Sequence, residues 1–367
     1  MKLFIKKENI LKPLNKICNI LNRSPNLKIL NFIFIKIKKE KLFIIGSDLE
    51  LELIAEINLK NNNLKISTII EAKKFFNIIK ELPENSIFSL SFYKNKLIIN
   101  YKNINFSLST LPKSSFPLIL NKEKNIIFNL KKDTLKNMLY LTKFSMGFQD
   151  IRYYLNGMLF EIEKGILKIV ATDGYRLAIY SKFININIKF ISIIIPRKTI
   201  IELYNILYDN NTNLVKIEIN NYFIKINIDK FIFISKLING KFPNYKKILN
   251  YNNKKIIEIN RLLLKNSFSR IAILANEKIK AIKIKISNNK LKIMSSNLEK
   301  EKAEEILNIK YLFSDIEIKL NYNYVIDILK TLKCENIRIL LKDENSLIKI
   351  EDCKNNEIQY IIMPMII

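Results

Sequence analysis

The run Leu167-Lys-Ile-Val-Ala-Thr-Asp173 recurs twice, as Leu42-Phe-Ile-Ile-Gly-Ser-Asp48 and as Leu291-Lys-Ile-Met-Ser-Ser-Asn297. The Asp or Asn residues that close the three runs are 125 and 124 positions apart. Each run has the apolar character of a β-strand and ends in a small polar residue followed by a turn former. This nearly constant spacing predicts an internal repeat of three copies.

A second set of strings supports the same period. Phe106-Ser-Leu-Ser-Thr-Leu111, Ile232-Phe-Ile-Ser-Lys-Leu237 and Ile358-Gln-Tyr-Ile-Ile-Met363 begin 126 residues apart, and a Phe-Pro pair follows the first two. Chance similarity between short apolar strings is the alternative, but two independent sets share one period. We therefore predict that the 367 residues form three domains, at 1–121, 122–249 and 250–367.

Each predicted domain contains two windows with apolar residues at helical spacing. Pro196 suits a first helical turn, where its missing N–H costs nothing. Runs in which apolar and polar residues alternate, such as 216–228, lie between the windows and indicate antiparallel strands with one wet face. The predicted fold class is α+β, with three repeated sheet-plus-two-helix domains. The helical windows are 8–21, 70–82, 132–145, 196–208, 260–271 and 322–333.

The composition argues against common catalytic machinery. The chain has no His, which removes Ser–His and Cys–His nucleophile pairs, histidine bases and His-ligated metals. It has only six Gly, and neither GxGxxG nor GxxxxGK[ST] is present. Asp48 and Asp173 are candidate carboxylates for an enzyme, but each follows a strand-like run, where a turn cap is the simpler interpretation. We expect a protein without catalytic residues, cofactors or metals.

The cysteines and the N-terminus bear on location. Cys18, Cys334 and Cys353 are too few and too scattered for a disulfide framework or a zinc cluster, although Cys334 and Cys353 could pair in principle. The first residues carry charges where a signal peptide needs an apolar stretch. No uncharged apolar segment reaches the length of about 18 residues that a membrane helix needs. We expect a cytoplasmic protein that does not contact membranes.

The chain is strongly basic, with 62 Lys+Arg, 34 Asp+Glu and a net charge of +28. Such a charge favours anionic partners such as nucleic acid. Drift toward Lys in an A+T-biased genome explains it equally well, because Lys, Asn and Ile have A/T-rich codons. Basic residues recur in the helical windows of all three copies, without base-reading motifs. A surface built from them would contact phosphates and ignore sequence.

The C-terminal run Tyr360-Ile-Ile-Met-Pro-Met-Ile-Ile367 is apolar to its last residue. It could form an edge strand of the core. It could equally line an apolar groove for partner peptides, where Met suits adaptable contacts. The residues leave both possibilities open.

Several longer motifs give the sequence a specific resemblance over its whole length. The most specific are Gln149-Asp-Ile-Arg-Tyr-Tyr-Leu-Asn-Gly157, Ala171-Thr-Asp-Gly-Tyr-Arg-Leu177 and Tyr360-Ile-Ile-Met-Pro-Met365. In this order, on a threefold repeat, they resemble the family of the bacterial DNA polymerase III beta subunit, the sliding clamps. The resemblance implies a DNA clamp fold, in which two chains form a six-domain ring as a head-to-tail homodimer.

The resemblance also implies the function and the partners. Such a clamp encircles double-stranded DNA independently of sequence and tethers the replicative polymerase, so that synthesis is processive. Its partners would be the polymerase catalytic subunit and the clamp loader. A monomeric, sequence-blind nucleic-acid binder that uses the same basic helices is the alternative.

A pocket for partner peptides is implied between the second and third domains. Three of its positions depart from the family pattern: Tyr175 stands where His is common, Lys247 where Arg is common, and Ile366 where a basic residue often lies. Lys247 lacks the planar guanidinium of an Arg. The implied pocket residues are Leu155, Thr172, Gly174, Tyr175, Arg176, Leu177, Pro243, Lys247, Ile248, Ile361, Ile362, Met363, Pro364 and Met365.

Two further sets of residues are implied by the same resemblance. DNA contacts would come from Arg23, Ser24, Lys73, Gln149, Tyr153, Tyr154, Arg197 and Lys198. The dimer interface would place Phe106 and Leu108 at one end of the chain against Ile273 and Leu274 at the other. Its charged flanks would be Lys74 and Lys102 on one side and Glu301, Glu304 and Glu305 on the other.

Overall fold

The structure is a computed structural model that describes residues 2–21, 27–59, 64–119, 126–184, 186, 190–209, 212–249 and 255–365. The first third of the chain contains, in order, β1 (Lys2–Lys6), α1 (Lys7–Ile20), β2 (Phe32–Lys38), β3 (Lys41–Ser47), β4 (Leu51–Asn58), β5 (Ile66–Glu71), α2 (Ala72–Glu81), β6 (Ile87–Phe92), β7 (Lys96–Tyr101) and β8 (Ile104–Ser109).

The same order of elements recurs twice. The second copy contains β9 (Ile126–Lys131), α3 (Lys132–Thr142), β10 (Gly157–Glu163), β11 (Ile166–Thr172), β12 (Arg176–Phe183), β13 (Phe190–Pro196), α4 (Arg197–Asp209), β14 (Leu214–Ile219), β15 (Phe223–Ile228) and β16 (Phe231–Lys236), with the short helix α5 (Lys246–Leu249) after it. The third contains β17 (Lys255–Asn260), α6 (Arg261–Ile271), β18 (Ala281–Ser287), β19 (Lys290–Ser296), β20 (Lys302–Asn308), β21 (Ile316–Asn321), α7 (Tyr322–Thr331), β22 (Asn336–Leu341), β23 (Ile348–Asp352) and β24 (Ile358–Ile362). The predicted threefold α+β repeat is confirmed.

The repeat strings fall on corresponding strands. Leu42, Leu167 and Leu291 are each the second residue of β3, β11 and β19. The second set falls on β8, β16 and β24, but begins at their third, second and first residues, so that alignment is out of register. The 216–228 run is a hairpin of β14 and β15. Pro196 ends β13 and precedes α4, so its predicted place in the first helical turn is wrong.

The chain divides into two compact units. The first comprises Met1–Thr134 and Ile201–Leu237, and it contains an eight-stranded sheet in the order β5-β2-β3-β4-β16-β15-β14-β9 and a four-stranded sheet β1-β6-β7-β8. The second comprises Leu135–Ile200 and Ile238–Ile367, with an eight-stranded sheet β13-β10-β11-β12-β24-β23-β22-β17 and a four-stranded sheet β20-β19-β18-β21. The unit boundaries therefore cut through the second repeat, and the three sequence domains stay a prediction.

Each eight-stranded sheet is built from two repeats. In the first unit β4 pairs antiparallel with β16, and in the second unit β12 pairs antiparallel with β24. In both cases the fourth strand of one repeat meets the last strand of the next. We call these two pairings the joints.

The apolar pattern explains how α1 packs. Ile10, Leu14 and Ile17 recur at helical spacing and are fully buried. The helix packs on β3 and β4, and a Cβ at Gly46 on β3 would collide with the side chain of Ile17. Glycine at this strand position therefore permits the close approach of helix and sheet.

A cation at the start of one helix caps the end of another. Lys7, the first residue of α1, donates from Nζ to the carbonyls of Lys80, at 2.7 Å, and Leu82 beyond the end of α2. Arg261, the first residue of α6, donates to the carbonyls of Leu329 (2.8 Å) and Cys334 (2.7 Å) around the end of α7. These charges satisfy helix-end carbonyls and complement the helix dipole. Arg261 therefore stabilises the end of α7, although it is one of the helical basic residues from which a phosphate-contacting surface was predicted.

The Asp and Asn residues that close the first repeat strings are turn caps, as predicted. Asp48 Oδ1 accepts from the backbone N–H groups of Glu50 and Leu51, and Asp173 Oδ1 accepts from those of Tyr175 and Arg176. Asn297 Oδ1 accepts from the N–H of Glu301.

Cys18, Cys334 and Cys353 are free thiols. Among the described residues, no helix is long and apolar enough to cross a membrane.

Glu52 is a buried carboxyl at the first joint, with 2% of its surface exposed. Its Oε2 accepts a hydrogen bond of 3.0 Å from the N–H of Ile119. Burial raises the pKa of Glu52 to about 7, and the bond from Ile119 opposes that rise. The charged form is therefore the costly one in the folded protein.

We predict that Glu52 makes stability fall as pH rises. Its folded pKa lies above the unfolded value, so its contribution is complete below about pH 4.3 and is lost as pH rises through about 7. Glu52→Gln keeps an oxygen for the Ile119 N–H but never ionises. At pH 8.5 this variant should exceed the wild type in free energy of unfolding by about 3 kcal/mol, and the gap should close toward pH 5. Denaturant unfolding across this range measures the gap, and a pH-independent difference would contradict the assignment.

Candidate peptide groove and nucleic-acid interface

An apolar cluster covers one face of the second unit's eight-stranded sheet at the joint of β12 and β24. Leu177 and Ile361 face each other across that joint, and both belong to the cluster. Ile248 and Phe242 pack against it from the segment 242–249. The buried members are Leu159, Val170, Leu177, Ile179, Ile194, Tyr245 and Ile361. The structure thus brings three of the predicted pocket residues together: Leu177, Ile248 and Ile361.

Strand alternation places Ile362 elsewhere. Side chains of successive strand residues point to opposite faces of a sheet. Ile362 is fully buried and sits opposite Arg176, while its neighbour Ile361 sits opposite Leu177. The structure therefore does not bring the Ile362 side chain to the cluster.

The end of the described chain continues along the joint. The N–H of Met363 donates to the carbonyl of Tyr175 (2.8 Å), and that of Met365 donates to the carbonyl of Lys319 (2.9 Å). Pro364 is buried, Met365 is half-buried, and the Met363 side chain is 45% exposed. Met363 thus offers an adaptable apolar surface beside the exposed Tyr175. Ile366 lies outside the described residues.

Arg176 lies on the other face of the joint from the cluster, the face of Ile362. Its Nε donates to Asp173 Oδ2 (2.9 Å), and its Nη1 donates to Asp327 Oδ2 (2.7 Å). Its Nη2 donates to the carbonyl of Phe144 (2.7 Å), and the guanidinium lies over the rings of Phe144 and Tyr324, 5.3 and 4.5 Å from the centroids. Arg176 is therefore locked in place by charge-assisted bonds and stacking.

The remaining predicted pocket residues lie in the turn between β11 and β12 and in two neighbouring segments. Thr172 Oγ1 donates to the carbonyl of Arg176 (2.6 Å), which closes the turn between β11 and β12. Gly174 has a φ of +95°, a conformation that side chains disfavour, and the guanidinium of Arg152 lies where a Cβ would be. Leu155 is buried, whereas Pro243 and Lys247 are exposed.

Sequence reasoning missed several residues of this site. Tyr245 is part of the cluster, and its hydroxyl donates to Glu161 Oε1 (2.7 Å). Asp327, Tyr324 and Phe144 fix Arg176 from other elements. Partners this distant along the chain leave no local signal in the sequence.

The predicted DNA-contacting residues of the second unit lie on and around an exposed loop. Phe148, Gln149 and Tyr153 are exposed, and the Tyr153 ring meets that of Tyr154 edge-on at 5.8 Å. Gln149 has a positive φ of 54°. Lys198 is half-buried on α4. In the first unit Lys73 is exposed on α2, while Arg23 and Ser24 lie outside the described residues.

Arg197 is held by the protein itself. Its Nη1 donates to the carbonyls of Met146 (2.8 Å) and Gly147 (3.3 Å), and its guanidinium lies 5.5 Å from the centroid of the Phe148 ring. Burial lowers the pKa of Arg197, with a smaller contribution from Arg176. Arg197 therefore shapes the loop that carries Phe148 and Gln149.

The predicted interface residues lie on or near the edge strands β8 and β20, on α2, and in the short helical turn that follows α6. Phe106 and Leu108 are on the edge strand β8, and Ile273 is 78% exposed beside the half-buried Leu274. The charged flanks have partners within the chain: Lys74 with Glu71, Glu304 with Lys292, and Glu305 with Arg270 and Ser267. The Arg270 bond holds the pKa of Glu305 below its usual range. Glu301 donates its N–H to Asn297 Oδ1 and accepts from Asn297 Nδ2.

Comparison with known proteins gives one consistent result. The family descriptions "DNA polymerase III beta subunit, N-terminal domain", "central domain" and "C-terminal domain" match residues 1–120, 129–244 and 246–366. The beta sliding clamps of Escherichia coli and Proteus mirabilis are 40% and 39% identical over 365 residues, covering 100% of both chains. The DNA polymerase III beta subunit of Pseudomonas aeruginosa matches with a TM-score of 0.96 at 34% identity, covering 100% of both chains. Another structure of that clamp, with a TM-score of 0.95, has griselimycin bound.

We predict that Arg197 contributes to folding, whereas Lys73 does not. Arg197→Met removes a charged donor from two loop carbonyls and should lower the free energy of unfolding by about 2 kcal/mol. Lys73→Met, at an exposed site, should leave it unchanged within about 0.5 kcal/mol. Denaturant unfolding of the two variants decides the matter, and equal stabilities would show that the Arg197 bonds are dispensable.

Proposed function

The chain belongs to the family of the DNA polymerase III beta subunit, and from that membership we propose how its surfaces serve a sliding clamp. The chain functions as such a clamp, the processivity factor of the replicative polymerase. We infer that two copies encircle double-stranded DNA as a head-to-tail ring and that the polymerase catalytic subunit and the clamp loader dock on it.

The two joints are the observation that supports the proposed ring. In both joints the fourth strand of one repeat pairs with the last strand of the following repeat. The fourth strand of the third repeat, β20, and the last strand of the first, β8, each end a four-stranded sheet among the described residues. Edge strands expose unpaired backbone groups that invite another strand. Pairing β20 of one copy with β8 of another would repeat the joint and close a ring.

Side chains at these two edges fit that pairing. β8 presents Ile104 and Phe106 to solvent, and Ile306 is exposed on β20. Lys102 is exposed in the turn that leads into β8, while Glu304 and Glu305 lie on β20. Opposite charges on unlike edges favour head-to-tail contact over contact between like edges.

The DNA contacts we propose are sequence-independent. Lys73, Gln149, Tyr153 and Lys198 lie on helices or an exposed loop, and Arg197 supports that loop. Contacts of this kind reach phosphates and position DNA without reading bases. Among the described residues no cluster of His, Cys, Asp or Glu is arranged to hold a metal. We propose a non-catalytic, cytoplasmic clamp, in keeping with its three free thiols.

The apolar cluster at the second joint is the docking site we propose for partner peptides. It combines a buried apolar floor with the exposed Met363 and Tyr175. Few polar groups among apolar walls are typical of a ligand groove.

We predict that Ile273→Ala with Leu274→Ala yields a folded monomer. Each large apolar side chain buried at the interface contributes about 1.5–3 kcal/mol. Sedimentation at micromolar concentration should give a mass near 43.3 kDa, against twice that for the wild type. The wild type should stay on a nicked circular plasmid and leave after linearisation, while the variant should be lost from both.

The control pair is Ile256→Ala with Leu312→Ala, two exposed apolar side chains of the same repeat outside the proposed contact. This control should remain a dimer and stay on the circle. A wild type that is equally retained on linear and circular DNA would instead support the monomeric electrostatic binder.

We predict that Met363→Ala with Met365→Ala weakens docking but spares the ring. A scan of overlapping peptides from the polymerase catalytic subunit first identifies the tightest binder. That peptide should lose about 30-fold in affinity by fluorescence anisotropy, which corresponds to about 2 kcal/mol. Phe183→Ala, exposed elsewhere on the second unit, is the control and should bind as the wild type does. Equal affinities for all three proteins would place the docking site elsewhere.

A further inference from the structure

Glu161 is a buried carboxylate on the second strand from one edge of the second unit's eight-stranded sheet. It lies on β10 between β11 and β13, and 6% of its surface is exposed. A buried carboxylate is costly unless charged or hydrogen-bonding partners compensate its desolvation. Its partners therefore indicate what this position achieves.

Both partners of Glu161 come from one distant segment. Tyr245 donates its hydroxyl to Glu161 Oε1 at 2.7 Å, and Lys246 Nζ lies 3.1 Å from the same oxygen. Lys246 also donates to Glu163 Oε2 at 2.8 Å. Burial, and then the bond to Glu161, raise the pKa of Tyr245, so its hydroxyl remains a donor at neutral pH.

This segment, residues 242–249, forms one wall of the proposed groove. The N–H of Tyr245 donates to the carbonyl of Pro243 (2.8 Å), and the N–H of Ile248 donates to the carbonyl of Tyr245 (3.0 Å). Ile248 packs on the apolar cluster, to which the Tyr245 ring belongs. Fixing Tyr245 therefore fixes both Pro243 and Ile248.

The first unit holds its corresponding segment in another way. There Phe116 is buried against Phe34, with ring centroids 5.7 Å apart, and the backbone N–H of Ile119 donates to Glu52. Glu52 is the second residue of β4, and Leu177 is the second residue of β12. Glu52, the carboxyl that holds this segment in the first unit, therefore lies at the strand position that the apolar Leu177 occupies in the second unit.

In the second unit the carboxylate that contacts the corresponding segment lies on a different strand. Glu161 is the fifth residue of β10, where β2 has Lys36. This arrangement leaves Leu177 free to form the groove floor. Glu161 also contacts two side chains of the segment, those of Tyr245 and Lys246, whereas Glu52 accepts from a backbone N–H.

We propose that Glu161 is a positioning residue of the peptide groove, which holds residues 242–249 in place through Tyr245 and Lys246 so that Pro243 and Ile248 form a pre-ordered wall. The inference rests on the proposed docking function. A wall that is already ordered spares a binding peptide the cost of ordering it. Loss of the hold lowers the fraction of protein that is competent to bind, and the apparent affinity falls by that fraction.

The test measures affinity for the polymerase peptide identified above. Glu161→Ala should weaken binding about tenfold, the effect of losing one charge-assisted hydrogen bond. Tyr245→Phe should weaken it several-fold, and the double variant should be no weaker than Glu161→Ala, because both remove one interaction. Glu161→Gln retains an acceptor for the Tyr245 hydroxyl and should recover most of the affinity.

Glu163→Gln is the matched control. It removes the other carboxylate of Lys246 but leaves the Tyr245–Glu161 bond, so affinity should stay within about twofold. Hydrogen exchange gives an independent readout: the amides of Tyr245 and Ile248 should exchange faster in Tyr245→Phe, while those of the β12–β24 pair should not. The conservative Tyr245→Phe variant keeps the test valid should Glu161→Ala fail to fold.

The outcomes separate this inference from the proposed function. If the Met363 and Met365 substitutions weaken the peptide but Tyr245→Phe and Glu161→Ala leave its affinity unchanged, Glu161 does not position the groove. Equal losses in Glu161→Ala and Glu163→Gln would likewise overturn the role of the Tyr245 bond. If none of the substitutions in the groove changes the affinity for the peptide, the docking site lies elsewhere.

Discussion

The antiparallel pairing of one repeat's fourth strand with the next repeat's last strand is the constraint on which the structure depends. A β-strand at a sheet edge leaves backbone groups unpaired, and this chain satisfies them at β4–β16 and β12–β24 by merging two half-sheets into one of eight strands. The compact units therefore follow the joints rather than the sequence repeats. Among the described residues, β8 and β20 remain at sheet edges, and these are the two edges that the proposed ring would pair.

The joints also differ in chemistry, although their topology is the same. The first carries the buried carboxyl of Glu52, and the second carries Leu177 at the corresponding position. An apolar floor suits an apolar ligand, whereas a buried carboxyl requires a fixed donor, here the N–H of Ile119. The same strand pairing is thus combined with a buried carboxyl in one unit and with the floor of the proposed groove in the other.

Much of the basic charge on the helices serves the fold. Lys7 and Arg261 cap helix ends, Lys16 pairs with Asp209, and Arg197 supports a loop. Each of these cations is compensated by carbonyls or a carboxylate within the protein. Lys7, Arg261 and Arg197 keep their charges as part of the net +28, but their donor groups already bond carbonyls within the protein.

The sequence by itself determined the threefold repeat, the α+β class and the turn caps at Asp48, Asp173 and Asn297, because these depend on local periodicity and on contacts within a few residues. Resemblance supplied the groove and interface residues, and the structure brought Leu177, Ile248 and Ile361 together. Only the tertiary structure decided that Ile362 faces away from them and that Tyr245 meets Glu161, 84 residues earlier in the chain. Strand register and long-range hydrogen bonds depend on which edges meet, and no local pattern encodes that choice.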